Sequence, residues 1–240
     1  MYDGNKILCV APCYNELQKI DKVVQRVLKN DFVDEMLVVD DGSTDDSPSI
    51  AKEKGATVIS LEKTHGVGFA IRKGIEYGIK NQFDIIVIIA GNNKDNPDQI
   101  LKLLKPITKE DYVFVQGSRF LKGGEFGDMP FYRIIATKMH PLIFSILSGK
   151  WITESTNGFR AFKLSLFKDR RIDIWQKWLD KYELEPYLYF KLIRLGYKTK
   201  EVPVSKYYPP KEIGYTKMKP IIDWWGIFKP LFSLGFGLKK

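Results

Sequence analysis

Ile7-Leu8-Cys9-Val10-Ala11 is an apolar run that ends at Pro12 and passes directly into Cys13-Tyr14-Asn15-Glu16. Five apolar residues without polar alternation predict a strand buried on both faces. Leu17, Ile20, Val23, Val24, Val27 and Leu28 then recur at helical spacing and predict an amphipathic helix. The same alternation continues down the chain. A second strand is expected at 36–39, ending in Asp40-Asp41-Gly42-Ser43, and Ser47-Pro48 reads as a helix cap followed by proline at the first helical position. A third strand at 57–61 precedes a helix at 67–77. The wholly apolar 85–89 is expected as a central fourth strand. A helix starts near Pro97, and 113–116 makes a fifth strand. Strands and helices alternating over short connections form a parallel sheet covered on both faces. Ligands in such sheets bind beyond the carboxyl ends of the strands.

Composition bounds the answer. The 240 residues suit one large domain, or one domain with a short appendage. With 44% hydrophobic and 28% charged residues the chain is globular rather than disordered. Its formal net charge of +9 calls for an anionic partner: a nucleoside diphosphate, a phospholipid surface or a nucleic acid. Two cysteines and two histidines cannot build a disulfide framework and make a Cys/His zinc site an unlikely choice, so Cys9 and Cys13 read as reduced packing residues. The N-terminus is not a signal peptide, and no apolar run approaches the roughly 18 residues of a spanning helix, which gives a cytoplasmic expectation. The second half is less regular: helices are expected at 129–147 and 182–195, and a strand at 199–204.

The strand ends carry the chemistry. Tyr14 offers a ring face to a nucleobase, while Glu16, Asp40 and Asp41 offer carboxylates to base N–H groups and ribose hydroxyls. The competing reading of 40–45 is a turn with a helix cap. After the third strand, His65-Gly66-Val67-Gly68 opens a helix whose backbone N–H groups suit phosphate, with Arg72 one turn on. A dinucleotide fingerprint is a poor match, because it belongs after the first strand and its third glycine is replaced by Ile71.

Three of these segments, 10–16, 38–45 and 65–70, together resemble the signatures of glycosyltransferase family 2, in particular the dolichol-phosphate mannose or glucose synthase type. Gly117-Ser118-Arg119-Phe120, Asn157-Gly158-Phe159-Arg160-Ala161-Phe162, Gly196-Tyr197-Lys198 and Glu201-Val202-Pro203-Val204 match the same group, so the resemblance spans roughly residues 7–204. It implies an α/β, Rossmann-like GT-A fold with a mostly parallel central sheet and helices on both faces. The implied activity is that of an inverting hexosyltransferase, moving sugar from a nucleotide-diphosphate donor (UDP- or GDP-sugar) to a lipid phosphate or a glycan hydroxyl. That activity belongs to polysaccharide or lipid-linked glycan biosynthesis. By the same resemblance Pro12, Tyr14, Glu16, Asp40 and Asp41 hold base and ribose. Arg119 and Arg133 take the acceptor phosphate, joined by Arg160 as a further clamp, and Glu154 stands at an acidic position before the Gly-Phe-Arg motif.

One segment departs from the family. Where relatives carry an Asp-x-Asp motif for Mg²⁺ or Mn²⁺, this chain reads Ala90-Gly91-Asn92-Asn93-Lys94-Asp95. Alanine has no ligand atom, and asparagine offers a neutral carbonyl to a hard cation. Three outcomes stay open: Lys94 supplies the positive charge without metal, a weakened site survives on Asn92 and Asp95, or the chain is a non-catalytic nucleotide-sugar-binding relative. Gly66, Gly68, Arg72, Gly91 and Asn92 complete the expected nucleotide contacts. A hydroxyl acceptor would need a general base, with Glu154 first and Glu185 second. A polyprenyl or dolichyl phosphate needs none. The expected division is a transferase domain over 1–210 and an aromatic, basic segment over 211–240. There Trp224, Trp225, Phe228 and Phe232 beside Lys219, Lys229, Lys239 and Lys240 suggest peripheral contact with the inner face of a membrane. No nucleic-acid partner is expected.

Overall fold

The computed structural model describes residues 1–208 and 222–239. Its sheet has seven strands: β1 (Ile7–Cys13), β2 (Glu35–Asp40), β3 (Thr57–Ser60), β4 (Ile85–Ile88), β5 (Phe114–Ser118), β6 (Arg160–Lys163) and β7 (Thr199–Pro203). Their spatial order is β3-β2-β1-β4-β6-β5-β7, which puts the all-apolar β4 in the middle, as its composition predicts. Every pairing is parallel except those of β6, which runs against β4 and β5. The α/β expectation holds: a mostly parallel sheet with helices on both faces.

Among the described residues seven α-helices flank the sheet: α1 (Ile20–Leu28), α2 (Ser47–Glu53), α3 (Val67–Lys80), α4 (Ile100–Lys109), α5 (Phe131–Ser148), α6 (Leu184–Arg194) and α7 (Ile222–Gly235). Successive strand residues point to opposite faces. Ile7, Cys9 and Ala11 therefore pack with Val23, Val27 and Leu103 on one face, under α1, α2 and α4. Leu8 and Val10 pack with Ile75, Phe144 and Leu188 on the other, under α3, α5 and α6. Both cysteines are buried and neither is in a disulfide, and burial pushes the Cys9 thiol far above its usual pKa.

Several boundaries differ from the sequence expectations for local reasons. β1 continues through Pro12. β4 ends at Ile88, opposite Val10, so the missing N–H of Pro12 removes no rung on that side. Ser47 is not the cap of α2; Asp46 holds that position, and the Ser47 hydroxyl instead accepts from the Glu16 amide at 2.8 Å. β6 lies inside a segment read only as a motif, because four residues, Arg-Ala-Phe-Lys, carry no usable period. The tail forms α7, whose Leu231 is fully buried in the core beside α5 and α6. The expected boundary at 210/211, with Lys219, Lys240 and the side chain of Trp224, lies outside the described residues.

This topology gathers the site. The amide of Asp41 donates to the carbonyl of Cys13 at 2.8 Å, and that of Gly91 to the carbonyl of Pro12 at 3.2 Å. The loops after β2, β1 and β4 thus lie side by side at one sheet edge. Gly42 sits at φ +73°, where a Cβ would come within 2.7–2.8 Å of the backbone of Lys63 and Thr64, so the turn after β2 admits only glycine without strain.

Candidate active site

A cavity of about 840 Å³ opens over that edge, floored by the loops after β1, β2 and β4 and walled by α5, α6, α7 and the segment after β7. Eleven of the residues expected from the sequence line it: Pro12, Tyr14, Glu16, Asp41, Gly66, Gly91, Asn92, Lys94, Arg119, Arg133 and Glu185. Six do not: Asp40, Gly68, Arg72, Asp95, Glu154 and Arg160.

Each of the six is occupied elsewhere. Asp40 is buried, and both its oxygens accept from the Ser43 amide at 3.2 and 3.3 Å, so it closes the turn after β2 instead of reaching a ribose. Arg72 donates to the carbonyls of Ile174 and Gln176 at 3.0 and 2.9 Å and pairs with Asp180; it ties the 174–181 loop to α3. Gly68 lies beneath the carbonyls of Leu179 and Lys181, with which a Cβ would collide. Its function is close packing of that loop, not approach to phosphate. Arg160 is 2% exposed, donating to the Asn157 carbonyl at 2.6 Å and pairing with Glu185 at 2.9 Å. It positions Glu185 rather than clamping an acceptor.

The Glu154 expectation also changes. Glu154 is fully buried, 2.7 Å from Arg119 Nε, and accepts from the amide and hydroxyl of Thr156 at 2.9 and 2.8 Å. Burial alone would raise its pKa, but the Arg119 charge and these hydrogen bonds outweigh burial and hold the carboxyl below its usual range. A carboxylate so satisfied is a poor base; it orients the Arg119 guanidinium, which reaches Thr156 Oγ1 and the Tyr208 hydroxyl at 3.0 and 3.1 Å.

On the donor side, Asn15 adopts φ +51° and its side-chain oxygen accepts from the Thr44 amide at 2.8 Å, which fixes the loop that carries Tyr14 and Glu16. Tyr14 lines the cavity and is 39% exposed. Asp41 accepts from the amides of His65 and Gly66, both at 2.8 Å. The Gly66 N–H expected to meet phosphate is therefore already bonded, and Asp41 fixes the two residues that lead into α3.

Cations crowd the opposite wall. Lys94 is 6% exposed, and its pKa is pushed down to about 7, first by burial and then by repulsion from Lys206, Arg133 and Lys19, with Glu16 opposing. The Tyr208 ring lies 5.0 Å from Lys94 Nζ and 5.4 Å from Arg133 Cζ. Lys206 and Tyr208 follow β7, and the rule of inspecting strand ends would have found them. Lys19, on the turn before α1, and His140, within the apolar α5, carried no such signal. Burial pushes His140 down to about 4, so the ring is neutral, with Nδ1 2.6 Å from Ser155 Oγ and Nε2 3.1 Å from the Ile227 carbonyl. It fastens α7 to α5.

A divalent metal does not fit Asn92 and Asp95. Asn92 Oδ1 accepts from the Lys94 amide at 3.3 Å. Asp95 spends one oxygen on Lys206 at 2.5 Å and the other on the Ala90 amide at 3.1 Å. Among the described residues no three His, Cys, Asp or Glu side chains are grouped to hold a metal ion.

Comparison with known proteins agrees with this geometry. Residues 9–171 match the sequence model described as Glycosyl transferase family 2. An undecaprenyl-phosphate mannosyltransferase of Micrococcus luteus is 28% identical over 218 residues, 89% of this chain and 87% of the relative. A UDP-N-acetylglucosamine–dolichyl-phosphate N-acetylglucosaminyltransferase of Methanococcus voltae is 31% identical over 179 residues, 68% of this chain and 71% of the relative. The crystal structure of glucosyl-3-phosphoglycerate synthase from Mycobacterium tuberculosis, in complex with Mn²⁺, UDP and phosphoglyceric acid, superposes with a TM-score of 0.72. It covers 99% of this chain and 80% of its own, and at 21% identity it speaks for the GT-A fold alone.

Proposed function

The chain belongs to glycosyltransferase family 2, and from that premise we propose that it transfers a hexose from a nucleoside diphosphate sugar to a polyprenyl-type lipid phosphate. One observation carries the choice of acceptor. Among the described residues the carboxylates at the cavity are already bonded: Asp41 to two amides, Glu16 to Lys19 at 3.0 Å, Glu185 to Arg160, and Glu154 to Arg119 behind the wall. A phosphate acceptor arrives anionic and needs cations instead of a base. Arg119 and Arg133 face the cavity to receive it.

In the reaction, an acceptor phosphate oxygen attacks the anomeric carbon. The bond from that carbon to the donor diphosphate breaks, and the nucleoside diphosphate leaves with its electron pair as configuration inverts. The Tyr14 ring stacks on the base, with Glu16 beside it for the donor's hydroxyl and N–H groups. Cationic side chains stabilise the charge that grows on the leaving diphosphate.

The surface near the cavity supports a lipid substrate. Phe131, Ile135, Met139, Leu142 and Ile146 are all exposed on α5 and fall within about 80° of arc at 100° per residue. Trp225 and Phe236 of the tail are exposed as well, beside Lys229 and Lys239. Among the described residues no helix is long and apolar enough to cross a membrane. We assign this stripe, with the exposed Trp225 and Phe236, to a position in the membrane interface.

The test is an acceptor panel. Labelled UDP- and GDP-sugars are offered with short-chain polyprenyl phosphate, with neutral glycans, or with neither. Label passing into the organic phase only with the lipid phosphate is the expected result; transfer to glycan hydroxyls alone would overturn the assignment. Nucleotide binding without transfer to any acceptor would favour the non-catalytic reading.

A further inference from the structure

We propose that in this protein the donor diphosphate is held by a cluster of side-chain cations, Lys94 with Lys19 and Lys206 beside it, in the place where a divalent metal serves relatives. The inference rests on the glycosyltransferase reading above and specifies how its donor is bound. Four observations support it. Ala90 and Asn92 lack the carboxylates a hard cation needs. The remaining acidic side chain of that loop, Asp95, is turned away and locked by Lys206 and the Ala90 amide. The two amides that lead into α3, those of His65 and Gly66, are already bonded to Asp41. Lys94, finally, lines the cavity on the loop after β4, next to the ends of β1 and β2, and shares the Tyr208 ring with Arg133.

The electrostatics favour an anion there. Among the described residues six cationic side chains line the cavity (Lys19, Lys94, Arg119, Arg133, Lys181 and Lys206), of which Lys19 pairs with Glu16, Arg119 with Glu154 and Lys206 with Asp95. Like charges gathered away from water raise the energy of the fold. An arrangement of that kind at a cavity edge is relieved when a polyanion enters, and a nucleoside diphosphate carries the matching charge. The Tyr208 ring lies within cation–π range of both Lys94 and Arg133.

Equilibrium binding tests this without relying on turnover. UDP and GDP, and the nucleosides uridine and guanosine, are titrated calorimetrically in EDTA and in Mg²⁺ or Mn²⁺, with transfer to polyprenyl phosphate followed in parallel. The expected result is diphosphate affinity in EDTA within about twofold of that in metal. Lys94→Met should weaken diphosphate binding about tenfold, with nucleoside binding unchanged and Lys94→Arg restoring much of the loss. Thermal melts establish that each variant is folded. Binding that collapses in EDTA and returns with metal, or a Lys94→Met protein that binds as tightly as the parent, would overturn the cation cluster while leaving the transferase reading intact. Failure of both UDP and GDP to bind in any buffer would sink both.

Discussion

The donor floor and the acceptor wall of the cavity are held in place by different forces. On the floor, polar groups are fixed by hydrogen bonds between strand-end loops: Asn15 to Thr44, Asp40 to Ser43, Asp41 to His65 and Gly66, and the Glu16 amide to Ser47. On the wall, the struts are ion pairs between distant parts of the chain: Arg119 with Glu154, Arg160 with Glu185, Lys206 with Asp95. Replacing one of the floor side chains leaves an unpaired backbone amide and strands no charge. A buried ion pair does not survive the loss of one partner, because the other is left charged and dry. The wall is therefore the place where a single substitution disrupts most.

The largest effect is expected at the deepest pair. Glu154→Ala strands Arg119 at 3% exposure and should cost about 3–5 kcal/mol in urea unfolding. A floor substitution such as Asn15→Ala should cost about 1 kcal/mol, the range of a lost side-chain to backbone bond. Equal losses at the two sites would erase the contrast between floor and wall.

The outer face of the wall sharpens the comparison in another way. Ile135→Glu and Ile146→Glu alter exposed positions of α5, so melting temperature should stay within about 2 °C of the parent. Co-sedimentation with anionic vesicles should fall roughly tenfold for each. Unchanged vesicle binding would remove α5 from the membrane interface.

The smallest effect concerns Lys94. Its pKa is lowered to about 7 in the fold against an ordinary value of 10.5, so the folded state carries its full penalty below pH 7 and sheds it as pH rises from 7 toward 10.5. Lys19, Arg133 and Lys206 contribute to that penalty, and Glu16 opposes it. Lys94→Met should thus be more stable than the parent at pH 6, with the gap narrowing by pH 9. The opposite sign would mean that Lys94 is stabilising where it stands.

Much of the floor was legible in the sequence because it depends on local order. An apolar strand followed by polar residues, repeated at β1, β2 and β4, places Tyr14, Glu16, Asp41 and Asn92 at one edge by topology alone. Periodicity carries no information about which of two buried-strand arginines faces the ligand. Arg119 follows β5 and Arg160 begins β6; their opposite roles depend on Glu154 and Glu185 arriving from elsewhere in the chain. The same holds for Asp40 and Asp41, adjacent acids of which one closes a turn and the other holds the 65–66 segment before α3. Lys206 and Tyr208 were missed because their importance comes from Asp95, Lys94 and Arg133, all more than 70 residues away.

The central claim is that the wall receives a phosphate rather than deprotonating a hydroxyl. Steady-state transfer to short-chain polyprenyl phosphate tests it most directly, comparing Arg133→Ala with Glu185→Gln, the latter keeping a hydrogen-bond partner for Arg160. The account predicts that Arg133→Ala lowers kcat/KM at least about tenfold, chiefly through acceptor KM, while Glu185→Gln stays within about threefold of the parent across pH 6–8. A Glu185→Gln enzyme whose kcat collapses while Arg133→Ala remains active would contradict it and make Glu185 the base.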